Sequence, residues 1–260
     1  MTVVAGDTGV LGDGVGSWAS RSTVVGGSAV RMAAEATAAL AREAAALLLG
    51  ADPAELCLAD GRVAAPSGGS VLLGEIAAAL ASRPPDLDLP PGPLGARREF
   101  TVDHMTYPYG VHLAQVEIDP GTGAVTVLRY FVGYEIGRAI NPANVEGQLV
   151  GGALQGIGGA LFEEMAYGPD GQPLSASLID YLLPSAGEAP HVGTLVTEDH
   201  PSASNPLGAK GAGEGGIAAA GAAIASAVGD ALGMPGAVTR LPLTPERICA
   251  LIAAAPSRTS

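Results

Sequence analysis

The stretch Asn205-Pro206-Leu207-Gly208-Ala209-Lys210-Gly211-Ala212-Gly213-Glu214-Gly215-Gly216 sets five glycines within nine positions, 208 to 216, around a single carboxylate, Glu214. Glycine admits positive φ and lets backbone N–H groups come close to an anion or a cofactor. Small apolar residues follow, so the pattern predicts a helix from about Glu214 to Leu232 with the acid in its first turn. From the residues alone two roles for Glu214 stay open. It is an acid that complements the positive end of a helix dipole, or a general base in a dry, glycine-lined pocket. The loop is not a phosphate-binding P-loop, because Lys210 is followed by Gly211 rather than by Ser or Thr. That argues against nucleoside triphosphate hydrolysis.

Working outward, Val111, Leu113 and Val116-Glu117-Ile118 read as one strand, and the stretch from Val125 to Val132 reads as its partner. The turn-rich Asp119-Pro120-Gly121-Thr122-Gly123 joins them as a hairpin. Asn141-Pro142 breaks the β pattern, a glycine-punctuated helix is expected over 144–165, and a short strand over 192–196. Nearer the start, residues 6–27 read as a loop rich in Gly, Ser and Thr, and residues 28–49 as a helix stopped by Gly50. Short strands are expected at 56–58 and 62–64 about Asp60-Gly61, then a helix over 70–80. A proline-rich connector over 83–96 and a β region opening at 99–101 come next. Thr244-Pro245-Glu246 supplies an N-cap, a first-turn proline and an early acid for a last helix. The fold class is α+β, with no tandem repeat.

The 260 residues are 48% hydrophobic, enough to bury a sizeable core, and the net charge of -13 disfavours binding to a phosphate backbone. Cys57 and Cys249 have neither CxxC spacing nor a paired histidine, which argues against a disulfide framework or a cysteine metal site and excludes a four-cysteine iron–sulfur cluster within this chain. The cytoplasm is the simplest compartment for such a chain. Residues 1–7 lack the basic and apolar regions of a signal peptide, and the apolar stretch 215–232, with Asp230 near its end, reads as a buried helix rather than a membrane span. His104, His112, His191 and His200 form no ligand spacing and read as structural or surface residues.

At the glycine loop the chain resembles the molybdenum hydroxylases, the xanthine dehydrogenase/aldehyde oxidase family. Other segments agree in the family's order. Gly6-Asp7-Thr8 and Ser20-Arg21-Ser22-Thr23 are similar to its Gly-Asp-Thr and Ser-Arg-Ser-Thr elements. Gly137-Arg138-Ala139-Ile140-Asn141-Pro142, Leu154-Gln155-Gly156-Ile157-Gly158 and Asp180-Tyr181-Leu182-Leu183-Pro184 match further family blocks. The resemblance covers essentially the whole chain.

The resemblance implies molybdenum held by molybdopterin, in its cytosine dinucleotide form, with ligands drawn from the pterin and small inorganic groups. It implies that Glu214 is the base that deprotonates the metal's hydroxo group before attack on an aldehyde, an N-heterocycle or a similar small substrate, with water as the oxygen source. It puts Ser20, Arg21 and Ser22 at the pterin and its phosphate tail, Gln155 and Gly156 beside the metal's ligands, and Lys210 and Gly211 beneath the cofactor. On the residues alone, Ser20 and Ser22 are equally loop or capping hydroxyls and Gln155 a helix-packing amide. Arg138 and Asn141 read as stabilising the turn before a helix.

On this reading residues 1–96 are the cofactor-binding loop, helix and connector segment, and residues 97–260 carry the hairpin, glycine-rich helix and catalytic loop of the same domain. The family's large subunit is about three times this length, so the chain is expected to be the C-terminal part of it, incomplete at its N-terminus. A separate chain would carry the N-terminal molybdenum-binding region, and partner subunits the iron–sulfur clusters and FAD. A half-domain of this kind should expose a large apolar face. No nucleic acid or membrane partner is expected. The alternative is a non-catalytic structural or cofactor-holding subunit, or a truncated remnant. An unrelated small-molecule binding domain is the third reading.

Overall fold

The computed structural model describes residues 2–12, 14 and 16–254. They form two compact units, residues 23–103 with 205–207, and residues 2–22, 104–204 and 208–254. The first 22 residues fold with the later part of the chain.

The smaller unit begins with a wide π turn, Thr23–Gly27, at the end of the stretch expected to be loop. It runs into helix α1, Ser28–Leu49, whose C-cap Gly50 adopts left-handed φ of 64°. Asp52 caps a short 3-10 turn by accepting from the N–H of Ala54 at 2.9 Å. Strands β1 (Cys57–Ala59), β2 (Arg62–Ala64) and β3 (Ser70–Leu72) form an antiparallel sheet. Asp60 and Gly61 both take positive φ between β1 and β2, as a tight hairpin requires. Residues 70–72 are strand where helix was expected, because Val71 pairs with Val63 and packs with the apolar cluster of α1. Helix α2, Leu73–Ser82, starts only after them, with Glu75 reaching back to accept from the N–H of Leu72 at 2.8 Å. Ala41, Ala44 and Ala45 of α1 meet Val63, Ile76 and Leu80 in this unit's core.

The larger unit is built on strands β4 (Tyr109–Ile118), β5 (Val125–Glu135) and β6 (Val192–Thr197), in the order β4-β5-β6. The expected hairpin is present, with β4 and β5 antiparallel and a register shift at Gln115/Val116. No strand opens at 99–101, and β4 starts directly after Pro108, which has no N–H to give a ladder. β6 lies parallel to β5, so a crossover must join them, and helix α3, Pro142–Leu161, lies on that connection. Asn141 caps α3 by accepting from the N–H of Asn144 at 3.2 Å. The helix ends four residues before the expected 165, where Phe162 leaves helical geometry at φ −127°.

Helix α4 spans Ala220–Ala231 rather than starting near Glu214. Residues 213–219 form consecutive turns, because Gly213, Gly215 and Gly216 are poor helix formers and are tied to other elements. Helix α5, Pro245–Ala254, carries the predicted cap, with Thr244 Oγ1 accepting from the N–H of Arg247 at 3.4 Å. One face of the β4-β5-β6 sheet packs on α3 and α4, burying Val127, Tyr130, Val132, Leu149, Ile157 and Ile224. No helix among the described residues is long and apolar enough to cross a membrane.

Candidate functional site

The glycine loop folds back against the segment that carries Ser20, 194 residues earlier in the chain. Ser20 Oγ donates to Glu214 Oε2 at 2.8 Å and accepts from the Glu214 backbone N–H at 3.0 Å. The two bonds close a small ring that fixes both ends of the Glu214 residue. Ala19 and Ser20 each take φ of 52°, a left-handed backbone that costs a non-glycine residue about 1–3 kcal/mol. Gly211 makes this possible by close approach. A Cβ there would lie 2.7 Å from Ser20 Cβ and 3.0 Å from Ser20 O. The N–H of Gly211 donates to Thr106 Oγ1 at 3.1 Å, which holds the strand of loop in place.

Lys210 points the other way, into a nearly buried ion pair. Its Nζ meets Glu135 Oε2, with side chains 10% and 3% exposed, and lies 5.1 Å from the centre of the Tyr109 ring. Burial pushes the Glu135 carboxyl up. The bond from Lys210, the backbone N–H groups of Gly137 and His200 and the Lys210 charge together outweigh it, and hold the carboxyl below its ordinary range. The loop is thus tied to the end of β5 one residue before Gly211. Tyr134 closes the other side. A Cβ at Gly215 would lie 2.5 Å from Tyr134 Cζ, so the ring packs flat against that backbone. Burial, and then the Glu214 charge, push the Tyr134 phenol up.

Arg21 lies with its guanidinium 4.1 Å from the centre of the Trp18 ring, and Ser22 Oγ is 2.5 Å from Ser17 Oγ. Ser22 is exposed, while Ser20 and Arg21 are half-buried. A planar guanidinium held on an indole keeps its donor edge free to meet a phosphate in two-point fashion. Gln155 is exposed on α3. Gly156 is buried on the side that meets α4, where a Cβ would lie 2.3 Å from Ala220 Cβ. The structure therefore brings Ser20 against the loop that carries Lys210, Gly211 and Glu214. Gln155 and Gly156 stand on α3, with Gly156 serving the α3–α4 contact.

Glu214 is exposed and lies six residues before α4. Its carboxylate accepts from the Ser20 hydroxyl, and the residue lies outside the first turn of α4. Among the described residues no group of three His, Cys, Asp or Glu side chains is disposed to hold a metal ion. Nothing in the local sequence marks Tyr134, Glu135 or His112 as neighbours of this loop. The only sequence signal for Glu135 is a carboxylate that ends a strand whose last residues before it, Tyr130 to Tyr134, carry no charge.

Residues 1–190 match the family described as the molybdopterin cofactor-binding domain. The chain is 49% identical over 249 residues to the 6-hydroxypseudooxynicotine dehydrogenase complex subunit gamma of Paenarthrobacter nicotinovorans, covering 95% of this chain and 31% of that protein. It is 36% identical over 219 residues to the carbon monoxide dehydrogenase large chain of Hydrogenophaga pseudoflava, covering 82% and 26% respectively. Among solved structures it superimposes on Cu,Mo-CO dehydrogenase in its carbon monoxide reduced state with a TM-score of 0.82 at 31% identity, covering 94% of this chain and 31% of that one. Quinoline 2-oxidoreductase from Pseudomonas putida 86 gives a TM-score of 0.81 at 34% identity, with the same coverage. The chain spans less than a third of the length of each of these relatives. By the family match over 1–190 and the shared fold, the chain belongs to the molybdopterin cofactor-binding domains of the xanthine dehydrogenase/aldehyde oxidase family.

Proposed function

We propose that this chain is a subunit of a molybdenum-dependent hydroxylase and that Glu214 is its base. The observation that carries the reading is the closed ring between Ser20 and Glu214, packed over Gly211. It presents a carboxylate with Oε2 engaged by Ser20 and leaves Oε1 to hold or take a proton. The residues present fit a phosphate-bearing pterin. Arg21 on Trp18 and the hydroxyl of Ser22 offer donors to its tail, in the cytosine dinucleotide form, and Gln155 offers an amide from α3. When bound, the molybdopterin would supply the two-electron redox chemistry and the activation of water. Lys210, locked on Glu135, sets the height of the loop beneath it.

The substrate is a small aldehyde or N-heterocycle, a class that includes the substrate named for quinoline 2-oxidoreductase. Glu214 is exposed, so the water-excluded pocket that a base needs must be completed by other polypeptide. A separate chain carrying the N-terminal molybdenum-binding region fills that role. The outer face of the β4-β5-β6 sheet supports the same view. Tyr109, Val111, Leu113 and Leu195 stand there between 54% and 63% exposed. Iron–sulfur and FAD subunits then carry the electrons away.

The test co-produces this chain with its neighbouring gene products, purifies by a tag on this chain and measures molybdenum, iron and turnover. The expected result is about one molybdenum per chain, with iron and co-eluting subunits. Glu214→Gln in that complex should lower turnover far more than tenfold at unchanged molybdenum content. Turnover surviving within about tenfold rejects the base. A complex that holds molybdenum but never turns over supports a cofactor-holding subunit instead.

A further inference from the structure

We propose that His112 and Tyr130 form a brace that positions Glu214 through the carbonyl of Gly215. This deepens the base reading above and rests on it. His112 Nε2 lies 3.0 Å from Gly215 O, and His112 Nδ1 lies 2.8 Å from Tyr130 Oη. A carbonyl oxygen only accepts, so Nε2 carries the proton. In the neutral ring Nδ1 then accepts, and the Tyr130 hydroxyl donates to it. The chain of donors runs in one direction, from Tyr130 through the imidazole to the backbone next to Glu214.

The sheet makes the pair. His112 lies opposite Val132 on β4-β5, and Tyr130 lies opposite Ala114, so the two side chains are diagonal neighbours on the inner face. Their rings meet edge to face, with centres 5.8 Å apart. Tyr130 is 2% exposed and fixed in the core. Burial lowers the His112 pKa against the opposing pull of its bond to Gly215, and pushes Tyr130 up to about 12. The first shift favours the neutral imidazole, whose Nδ1 can accept, and the second keeps the proton on the Tyr130 hydroxyl that donates to it.

Residues 213–219 lack a helical ladder and need other anchors. Ser20 holds the N–H of Glu214, and the N–H groups of Ile217 and Ala218 hold its carbonyl. His112 holds the next carbonyl, on the peptide that Tyr134 packs against. Without it, the C-terminal side of Glu214 keeps only the turn bonds. His112 is a positioning residue, since it acts through Gly215 rather than on a substrate.

The experiment compares His112→Leu, His112→Gln and Tyr130→Phe in the co-purified complex. Amide hydrogen exchange is followed by mass spectrometry over residues 212–219, with kcat, KM and molybdenum content. Glutamine can carry an N–H where Nε2 stands; leucine cannot. His112→Leu should speed exchange in this segment about tenfold and lower kcat about tenfold, with KM and molybdenum content held within about twofold. His112→Gln should restore both readouts. Tyr130→Phe, a change of one oxygen, should speed exchange by a smaller factor, and it tests the brace if the leucine variant does not fold. Unchanged exchange in His112→Leu, or in Tyr130→Phe where that variant stands in, overturns the proposal. Equal losses in the leucine and glutamine variants do so as well. If Glu214→Gln keeps its turnover, the base reading fails. The exchange result still decides whether His112 anchors the loop.

Discussion

Ser20 touches Glu214 twice, and both contacts run through one oxygen. Ser20→Ala therefore removes both while leaving the backbone demand at φ 52° unchanged. In the assembled complex kcat should fall about tenfold with KM little altered, because the carboxylate loses its orientation rather than its charge; steady-state kinetics at matched molybdenum content checks this. The Lys210–Glu135 pair sets a second test. Lys210→Met leaves a carboxylate that is 3% exposed without its partner, and should cost about 3–5 kcal/mol in urea unfolding of the chain. Adding Glu135→Leu should recover much of that loss. The pair also predicts a pH dependence. Glu135 is held below its ordinary value, so its contribution is present above the unfolded carboxylate range, about 4.3, and is lost as pH falls through the folded value. Unfolding midpoints across that window should fall less steeply in Glu135→Gln than in the parent. Sequence reading reached Glu214 and the Ser20-Arg21-Ser22 segment because their spacing and resemblance are local. It did not reach Glu135, Tyr134 or His112. Their partners lie 75, 81 and 103 positions away along the chain, and nothing local marks an i to i+75 pair.

The packing of α3 on α4 decides what glycine means within a helix. Gly156→Ala and Gly147→Ala are the same chemical change in the same helix. At Gly147 a Cβ would meet nothing within 4 Å, so alanine should stabilise by up to about 1 kcal/mol through helix propensity. At Gly156 a Cβ would lie 2.3 Å from Ala220 Cβ, so overpacking should dominate and cost about 1–3 kcal/mol. Thermal unfolding of the two variants should therefore move in opposite directions, and a shared direction would mean the α3–α4 contact is looser than described. The sequence made the glycines of α3 visible but not their faces. Helix α1 was readable to the residue, because its alanine-rich run ends on a left-handed Gly50. Helix α4 was not. Its expected start at 214 rested on small apolar residues that suit both a helix and a tight turn. Ser20, Leu149 and Tyr134, the groups around Gly213, Gly215 and Gly216, resolve the choice, and none is a neighbour in sequence. Residues 70–72 misread for a related reason, since a strand of three residues has too few positions to show a period.

At the scale of the molecule, the inner face of the β4-β5-β6 sheet is filled by α3 and α4, whereas the outer face carries Tyr109, Val111, Leu113 and Leu195 with more than half their surface exposed. β4 is also an edge of that sheet among the described residues, and an edge strand offers its outward backbone groups for pairing. An apolar face beside an open edge is costly for a chain that works alone. The relatives supply the argument for what covers it, because this chain spans 31% of the 6-hydroxypseudooxynicotine dehydrogenase complex subunit gamma and 26% of a carbon monoxide dehydrogenase large chain. On the function proposed above, the cover is the molybdenum-binding region that makes up the rest of that length in the relatives. Leu113→Lys with Leu195→Lys tests it directly. Both positions are exposed, at 63% and 54%, so the chain's own unfolding free energy should shift by less than about 1 kcal/mol for the pair. Co-production with the partner should tell a different story. Two buried, unpaired lysines at an interface would lower recovery of the partner about tenfold or more, and the molybdenum bound per chain with it. Val30→Lys, at a residue 69% exposed on α1, serves as the control and should leave both unchanged. Full recovery of partner and molybdenum with the double lysine variant would remove this face as the seat of that region. The completion of the Glu214 pocket would then have to come from another side of the unit.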